Sequence, residues 1–166
     1  MYIDGHLSME ANACPCAKTC FFHLRRIRQL RCYVDYDTLY TLKRALILSP
    51  LDYCNSLFVC SSQSTVHRLQ RVQDVAARLL YGTSAWTHAP PLLKQLHWLP
   101  VSSRIQFKLC TLMFDINHGT APQYMSQLVP CCDDTLLRSN VCGNFVVSRT
   151  RIHVTDKAFS IVGPRA

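Results

Sequence analysis

The chain has 166 residues, with 18 Lys and Arg against 10 Asp and Glu, for a formal net charge of +8. That length suits one domain with its own core and is short for two. With 49% hydrophobic and 17% charged residues, the composition excludes the charge-rich disordered class, while the positive balance favours an anionic partner without specifying a fold.

No segment approaches the ~18 continuous apolar residues of a membrane span, so no membrane association is expected. The start, MYIDGHLSMEANACPC, holds no apolar run of the signal-peptide kind. Ten cysteines fall below the roughly 8–10% that marks a disulfide scaffold. The expected setting is therefore reducing, cytoplasmic or nuclear, with free thiols, although the sequence leaves oxidised pairs open.

Residues 1–17 lack periodicity and read as a loose lead-in. Helical patterning starts at Lys18. In KTCFFHLRRIRQLRCYV, Cys20, Leu24, Ile27, Leu30 and Val34 share one stripe, and Arg25, Arg26 and Arg28 point away from it. Lys18, Arg25, Arg26, Arg28 and Arg31 occur without an intervening acid, the densest cationic patch in the chain. Such a patch is either a solvated helix face or a phosphate-contacting one.

Asp35 or Asp37 can cap a second helix, DTLYTLKRALILS, which Pro50 is expected to end. A short apolar segment, LDYCNSLFVCSS, leads to the central stretch from Val66 to Arg104. Its first half is one amphipathic helix, with Val66, Leu69, Val72, Val75, Ala76, Leu79 and Leu80 on one side. Gln70, Arg71, Asp74 and Arg78 take the other side, with Asp74 and Arg78 spaced for an ion pair. Ser62 or Ser64 can cap its start and Gly82 can stop it. A short helix, PPLLKQLHWLP, is bracketed by prolines.

From Ser102 to His118 runs a helix apolar over most of its surface, which is expected to lie buried between neighbours. Ile105, Leu109, Leu112, Met113 and Ile116 form one stripe, and Phe107, Cys110 and Phe114 another. A brief helix, APQYMSQLV, follows, and from Pro130 the chain turns loop-like. NFVVS, RIHVT and AFSIV are short β-branched segments that suggest two or three small strands. The expected fold class is thus mostly α, a helical bundle with a small β-rich C-terminal tail. Residues 1–17 are the lead-in, 18–129 the helical domain and 130–166 the loop and strands.

Signatures of catalysis are missing. There is no G-x-S-x-G, no phosphate-cradling glycine loop and no H-E-x-x-H. Cys14, Cys16, Cys20 and His23 cluster, but their spacing is not that of a structural zinc half-site, and Cys131, Cys132 and Cys142 make a poor second half. The pair Asp133 and Asp134 follows Pro130 in a loop, without the further carboxylates that two-metal chemistry needs. His88 and His97 flank the proline-bracketed helix, where packing or capping is the plain role. We assign no catalytic residue, no metal and no cofactor.

The phrases FFHLRRIRQLR, SPLDYCNSLF, RLQRVQDVAARLL, THAPPLLKQLHWLPVSSRIQFKLCTLMF, HGTAPQYMSQLV, LLRS, VVSRTR and DKAFSIVGPR form one ordered block from Lys18 to Arg165. This block resembles the C-terminal, post-palm part of the reverse-transcriptase polyprotein of Jockey-like LINE retrotransposons. Three departures stand out: Pro50 where that family usually has arginine, Asp74 where it has asparagine, and a stop at GPRA where it continues. The resemblance implies a non-catalytic, thumb-like helical fragment, because the polymerase aspartates and the endonuclease lie upstream in the family. Its implied ancestral role is to pack on the palm domain and grip the template–primer. The implied partner is RNA or an RNA–DNA duplex, bound weakly and without sequence preference. Lys18, Arg25, Arg26, Arg28, Arg31, Arg71 and Arg78 are the expected nucleic-acid-binding residues. The competing expectation is a helical protein-interaction module or a non-functional remnant.

Overall fold

The computed structural model describes residues 9–129, 145, 149, 151 and 155–165. The chain forms two compact units, Met1–Ile105 and Gln106–Ala166. The expectation of a mostly α fold holds, and there is no β-strand among the described residues.

The first unit opens with α1 (Glu10–Leu30). Ala13, Ala17, Cys20, Leu24 and Ile27 recur at helical spacing along it and are buried. The loose lead-in expected for residues 1–17 is corrected at residues 10–17, and its residues 1–8 lie outside the described residues. Ala13 and Ala17 extend the buried stripe backwards, so residues 10–17 form the first turns of α1, even with Pro15 among them.

Helix α2 (Tyr36–Lys43) starts at Asp35, whose carboxylate accepts from the Thr38 backbone N–H at 3.1 Å and from the Thr38 hydroxyl at 2.6 Å. Pro50 does not end this helical run. It lies inside α3 (Ser49–Asp52), immediately after a π-helical turn over Arg44–Leu48. A proline ring has no N–H and presses on the carbonyl four residues back. The wide turn, in which the Ser49 N–H reaches the Arg44 carbonyl, opens the helix just ahead of that ring.

A 3₁₀ turn (Asn55–Cys60) leads to α4 (Gln63–Tyr81), the centre of this unit. Leu69, Val72, Ala76, Leu79 and Leu80 are buried as the periodicity predicts, with Val66 and Val75 half-buried beside them. Gly82 ends the helix at φ 68°, a left-handed conformation that costs an L side chain about 1–2 kcal/mol. Ser62 precedes the first turn, but its hydroxyl donates to Glu10 Oε1 at 2.8 Å instead of capping its own helix. The expected Asp74–Arg78 ion pair is absent. Asp74 accepts from Gln70 Nε2 at 2.8 Å, and Arg78 Nε donates to the Thr87 carbonyl at 2.7 Å.

Helix α5 (Ala89–Gln95) packs on α4, and α6 (Val101–Asn117) follows Pro100. The corner between them is pinned by side chains that look merely polar in the sequence. Gln70 Oε1 accepts from the Val101 N–H at 2.8 Å, which satisfies an orphan donor at the α6 start. Gln73 Nε2 and Arg104 Nε both donate to the Leu99 carbonyl, at 2.8 and 2.9 Å. Arg104 also pairs with Asp52 at 2.6 Å.

In the second unit Leu109, Met113 and Ile116 of α6 are buried. The expectation that α6 is enclosed over most of its surface is corrected: Phe107 is 64% and Phe114 59% exposed, and Cys110 is exposed as well. Met113 and Ile116 form a small core with Val129, against which Met125 of α7 (Gln123–Leu128) and Phe159 of α8 (Phe159–Val162) pack. The predicted strand AFSIV is therefore mostly helix. The Ile161 and Val162 N–H groups both bond the Ala158 carbonyl, and so short a window carries no period to tell helix from strand. NFVVS and RIHVT lie largely outside the described residues, so the β-rich tail has no support among those described. Cys131, Cys132, Asp133, Asp134 and Cys142 also lie outside them.

Candidate nucleic-acid interface

α1 and α4 lie side by side and run parallel. Their starts are tied by Glu10, whose Oε1 accepts from the Ser62 hydroxyl at 2.8 Å and from the Thr65 hydroxyl at 3.2 Å. One turn further on, an Arg68 guanidinium N–H donates to Cys14 Sγ. At the other end Arg28, Arg31, Cys32, Val75, Arg78 and Gly82 line one cleft of about 380 Å³. A 21-residue helix beside a 19-residue one makes a seam roughly 30 Å long at about 1.5 Å per residue.

Basic side chains border this seam from both sides. On α1, Lys18, Arg25 and Arg28 recur at i, i+7 and i+10, the spacing of one helix face. On α4, Arg68, Arg71 and Arg78 recur at i, i+3 and i+10. All are exposed except Arg78, which its bond to the Thr87 carbonyl holds half-buried. Of the acids nearby, Asp35 is held by Thr38, and Asp37 is exposed six residues beyond Arg31. Glu10 is held by two hydroxyls, and Asp74 lines a separate groove with Pro90 and Leu93.

The structure brings Arg28, Arg31 and Arg78 together in one cleft, helical spacing puts Lys18, Arg25 and Arg71 on the faces that continue from it, and Arg26 is separate from them. Arg26 falls on the far side of α1, its guanidinium 5.4 Å from the Phe22 ring centroid. Arg68 is the residue that sequence reasoning missed. Its signal was the helical spacing to Arg71 and Arg78, which becomes meaningful only once α1 lies alongside.

The end of the seam is its most positive point. A β-carbon added at Gly82 would run into the Arg31 guanidinium, so that group lies against the glycine that ends α4. Two helix C-termini contribute about half a negative charge each. Against them stand the three guanidiniums of Arg28, Arg31 and Arg78, leaving a surplus of about two positive charges. Behind them, burial pushes the Lys43 ammonium down to about 7, with repulsion from Arg31 as the smaller cause.

Other candidate chemistry does not assemble. Cys16 Sγ lies 3.6 Å from the Pro50 carbonyl and Cys20 Sγ 4.0 Å from that of Ile47, while Cys14 faces Arg68. Among the described residues no group of three His, Cys, Asp or Glu side chains could hold a metal ion, and no helix is long and apolar enough to cross a membrane. Comparison with family models, with curated proteins and with solved structures finds no match.

Proposed function

We propose that this chain is a non-catalytic helical module that grips the sugar–phosphate backbone of RNA or of an RNA–DNA duplex along the α1–α4 seam. The observation that carries this reading is the pair of parallel helices whose basic rows border one acid-poor seam. Guanidiniums in two rows neutralise phosphates without reading bases, so binding is sequence-independent and steeply salt-dependent. The reading agrees with the LINE reverse-transcriptase segment that the sequence resembles, and it implies a cytoplasmic or nuclear setting.

The test is a salt titration of hybrid-duplex binding by fluorescence anisotropy. Replacing Arg25, Arg28 and Arg71 with Gln should lower the slope of log affinity against log salt by about 0.9 per lost contact on B-form DNA, and similarly on a hybrid. Arg26→Gln, on the far side of α1, should leave the slope alone. An unchanged slope in the triple variant, or an equal fall with Arg26→Gln, would remove the seam from the binding surface.

A second reading rests on a separate observation. Phe107, Cys110 and Phe114 form an exposed apolar row on α6, which suits contact with another protein surface such as a reverse-transcriptase palm. A duplex that fails to bind at low salt would favour this interaction-module reading, or that of a remnant without function.

A further inference from the structure

We infer that the arginine cleft at the end of the seam takes unpaired nucleotides, with Trp86 and Tyr33 as stacking platforms. The inference rests on the proposed nucleic-acid reading and sharpens it from backbone grip to capture of a single-stranded end.

Trp86 is 93% exposed and Tyr33 is 85% exposed, the two barest aromatic side chains among the described residues. Both belong to the same end of the α1–α4 seam, because each directly follows a residue that lines the arginine cleft. Cys32 precedes Tyr33, and Ala85 precedes Trp86. Neither aromatic hangs on a loose segment. Tyr33 closes a turn in which its N–H reaches the Leu30 carbonyl at 2.9 Å. Trp86 sits in the turn from Ser84 to Thr87, where its own N–H donates to Ser84 Oγ at 3.3 Å and the Thr87 N–H to the Ser84 carbonyl at 3.1 Å. Arg78 clasps that turn through the Thr87 carbonyl, so the same arginine that lines the cleft also ties down the turn that carries Trp86.

An indole held in water on a fixed turn next to the arginine cleft offers its apolar face to a ligand that is itself flat. A paired base presents its face only to its neighbours in the stack and cannot lie on an exterior ring. An unpaired base can, and every base has such a face, so this capture is as indifferent to sequence as the phosphate contacts. The cleft, at about 380 Å³, lies at the small end of the range for ligand sites, enough for a phosphate and its sugar.

The intact chain carries its own probe. Trp86 is solvent-exposed, whereas Trp98 is 5% exposed and lies 6.2 Å from the Tyr40 ring. Emission at long wavelength therefore reports Trp86, and emission at short wavelength reports an intact core. The ligands are a blunt 12-base-pair RNA–DNA hybrid, the same hybrid with a four-nucleotide unpaired extension, and a 12-nucleotide single strand.

The extension and the single strand should quench the long-wavelength emission, and the blunt hybrid should not. Trp86→Leu should weaken binding of the extended hybrid and the single strand by roughly 5- to 150-fold per stacked base lost, leaving the blunt hybrid unchanged. Arg31→Gln should weaken all three, and most strongly those with unpaired nucleotides. Equal quenching by the blunt hybrid, or equal loss of all three ligands in Trp86→Leu, would overturn the stacking site while leaving the seam intact. Failure of every ligand to bind at low salt would overturn both the stacking site and the proposed function.

Discussion

Lys43 is the one fully buried cation among the described residues, and replacing it should stabilise the protein. Its side chain is 0% exposed, its Nζ has no hydrogen-bond partner, and burial pushes the ammonium from 10.5 down to about 7, with Arg31 adding repulsion. The unfolded chain keeps Lys43 charged up to about pH 10.5, whereas the folded protein releases the proton near 7. Between those values the unfolded state binds more protons, so stability rises with pH by up to about 1.4 kcal/mol per unit. Below pH 7 both states are charged and the penalty levels off, at a total on the order of 4–5 kcal/mol. Lys43→Met keeps most of the volume and removes the charge. After repacking losses of up to about 1.5 kcal/mol, the variant should be more stable by about 2–4 kcal/mol at pH 7, and at pH 10.5 level with the native chain or less stable by no more than that repacking loss. Urea unfolding of both proteins from pH 6 to 10.5, with unchanged m values, measures this difference. A variant no more stable at pH 7, or a difference that stays constant with pH, would refute the reasoning.

Leu69→Ala should destabilise the first unit by about 2–5 kcal/mol in thermal or urea unfolding, because Leu69 is 1% exposed at the centre of its core. Asp35→Ala should lower the melting temperature at neutral pH by removing the cap on α2. Bonds from the Thr38 hydroxyl and N–H hold the Asp35 carboxyl below its usual value, so this contribution is present at neutral pH and lost as pH falls through that lowered value. The native chain and the variant should therefore converge in acid, and a gap that persists there would show that the cap is not what Asp35 supplies.

Helix identity was legible where a long apolar period ended at a residue that suits a helix boundary. The central helix, bounded by Ser62 and Gly82, emerges as Gln63–Tyr81 with glycine in the left-handed position. What periodicity cannot say is whether each apolar face has a neighbour, and this is why α6 was expected to be enclosed while Phe107 and Phe114 are exposed. The Asp74–Arg78 pair failed for a related reason. A local spacing permits a contact, but here Gln70 and the Thr87 carbonyl compete successfully for those two side chains. Lys43 stands between Leu42 and Arg44 in the sequence, and nothing local told a snorkelling lysine from a buried one. The candidate site was half legible. The basic run on α1 was visible, but its approach to Arg68 and Arg78 depends on parallel packing of helices whose paired residues, such as Cys14 and Arg68, are 54 positions apart in the chain.

The parallel arrangement also makes the two ends of the seam unlike each other. Two antiparallel helices would offset each other's dipoles, whereas α1 and α4 put both positive ends together at Glu10 and Gln63 and both negative ends at Leu30 and Tyr81. At the start, the Glu10 carboxylate offsets about one charge of helix dipole, and Arg68 is occupied by Cys14. At the finish, three arginines exceed the opposing dipoles by about two charges. A phosphate chain on the proposed seam would therefore be held most firmly at the arginine cleft, and it is this end that also offers exposed aromatic rings. Charge alone would fix a backbone there in either direction and in any register. Rings on turns held by backbone hydrogen bonds add the requirement that bases be free to leave their stack, which a blunt duplex meets only at the cost of unpairing.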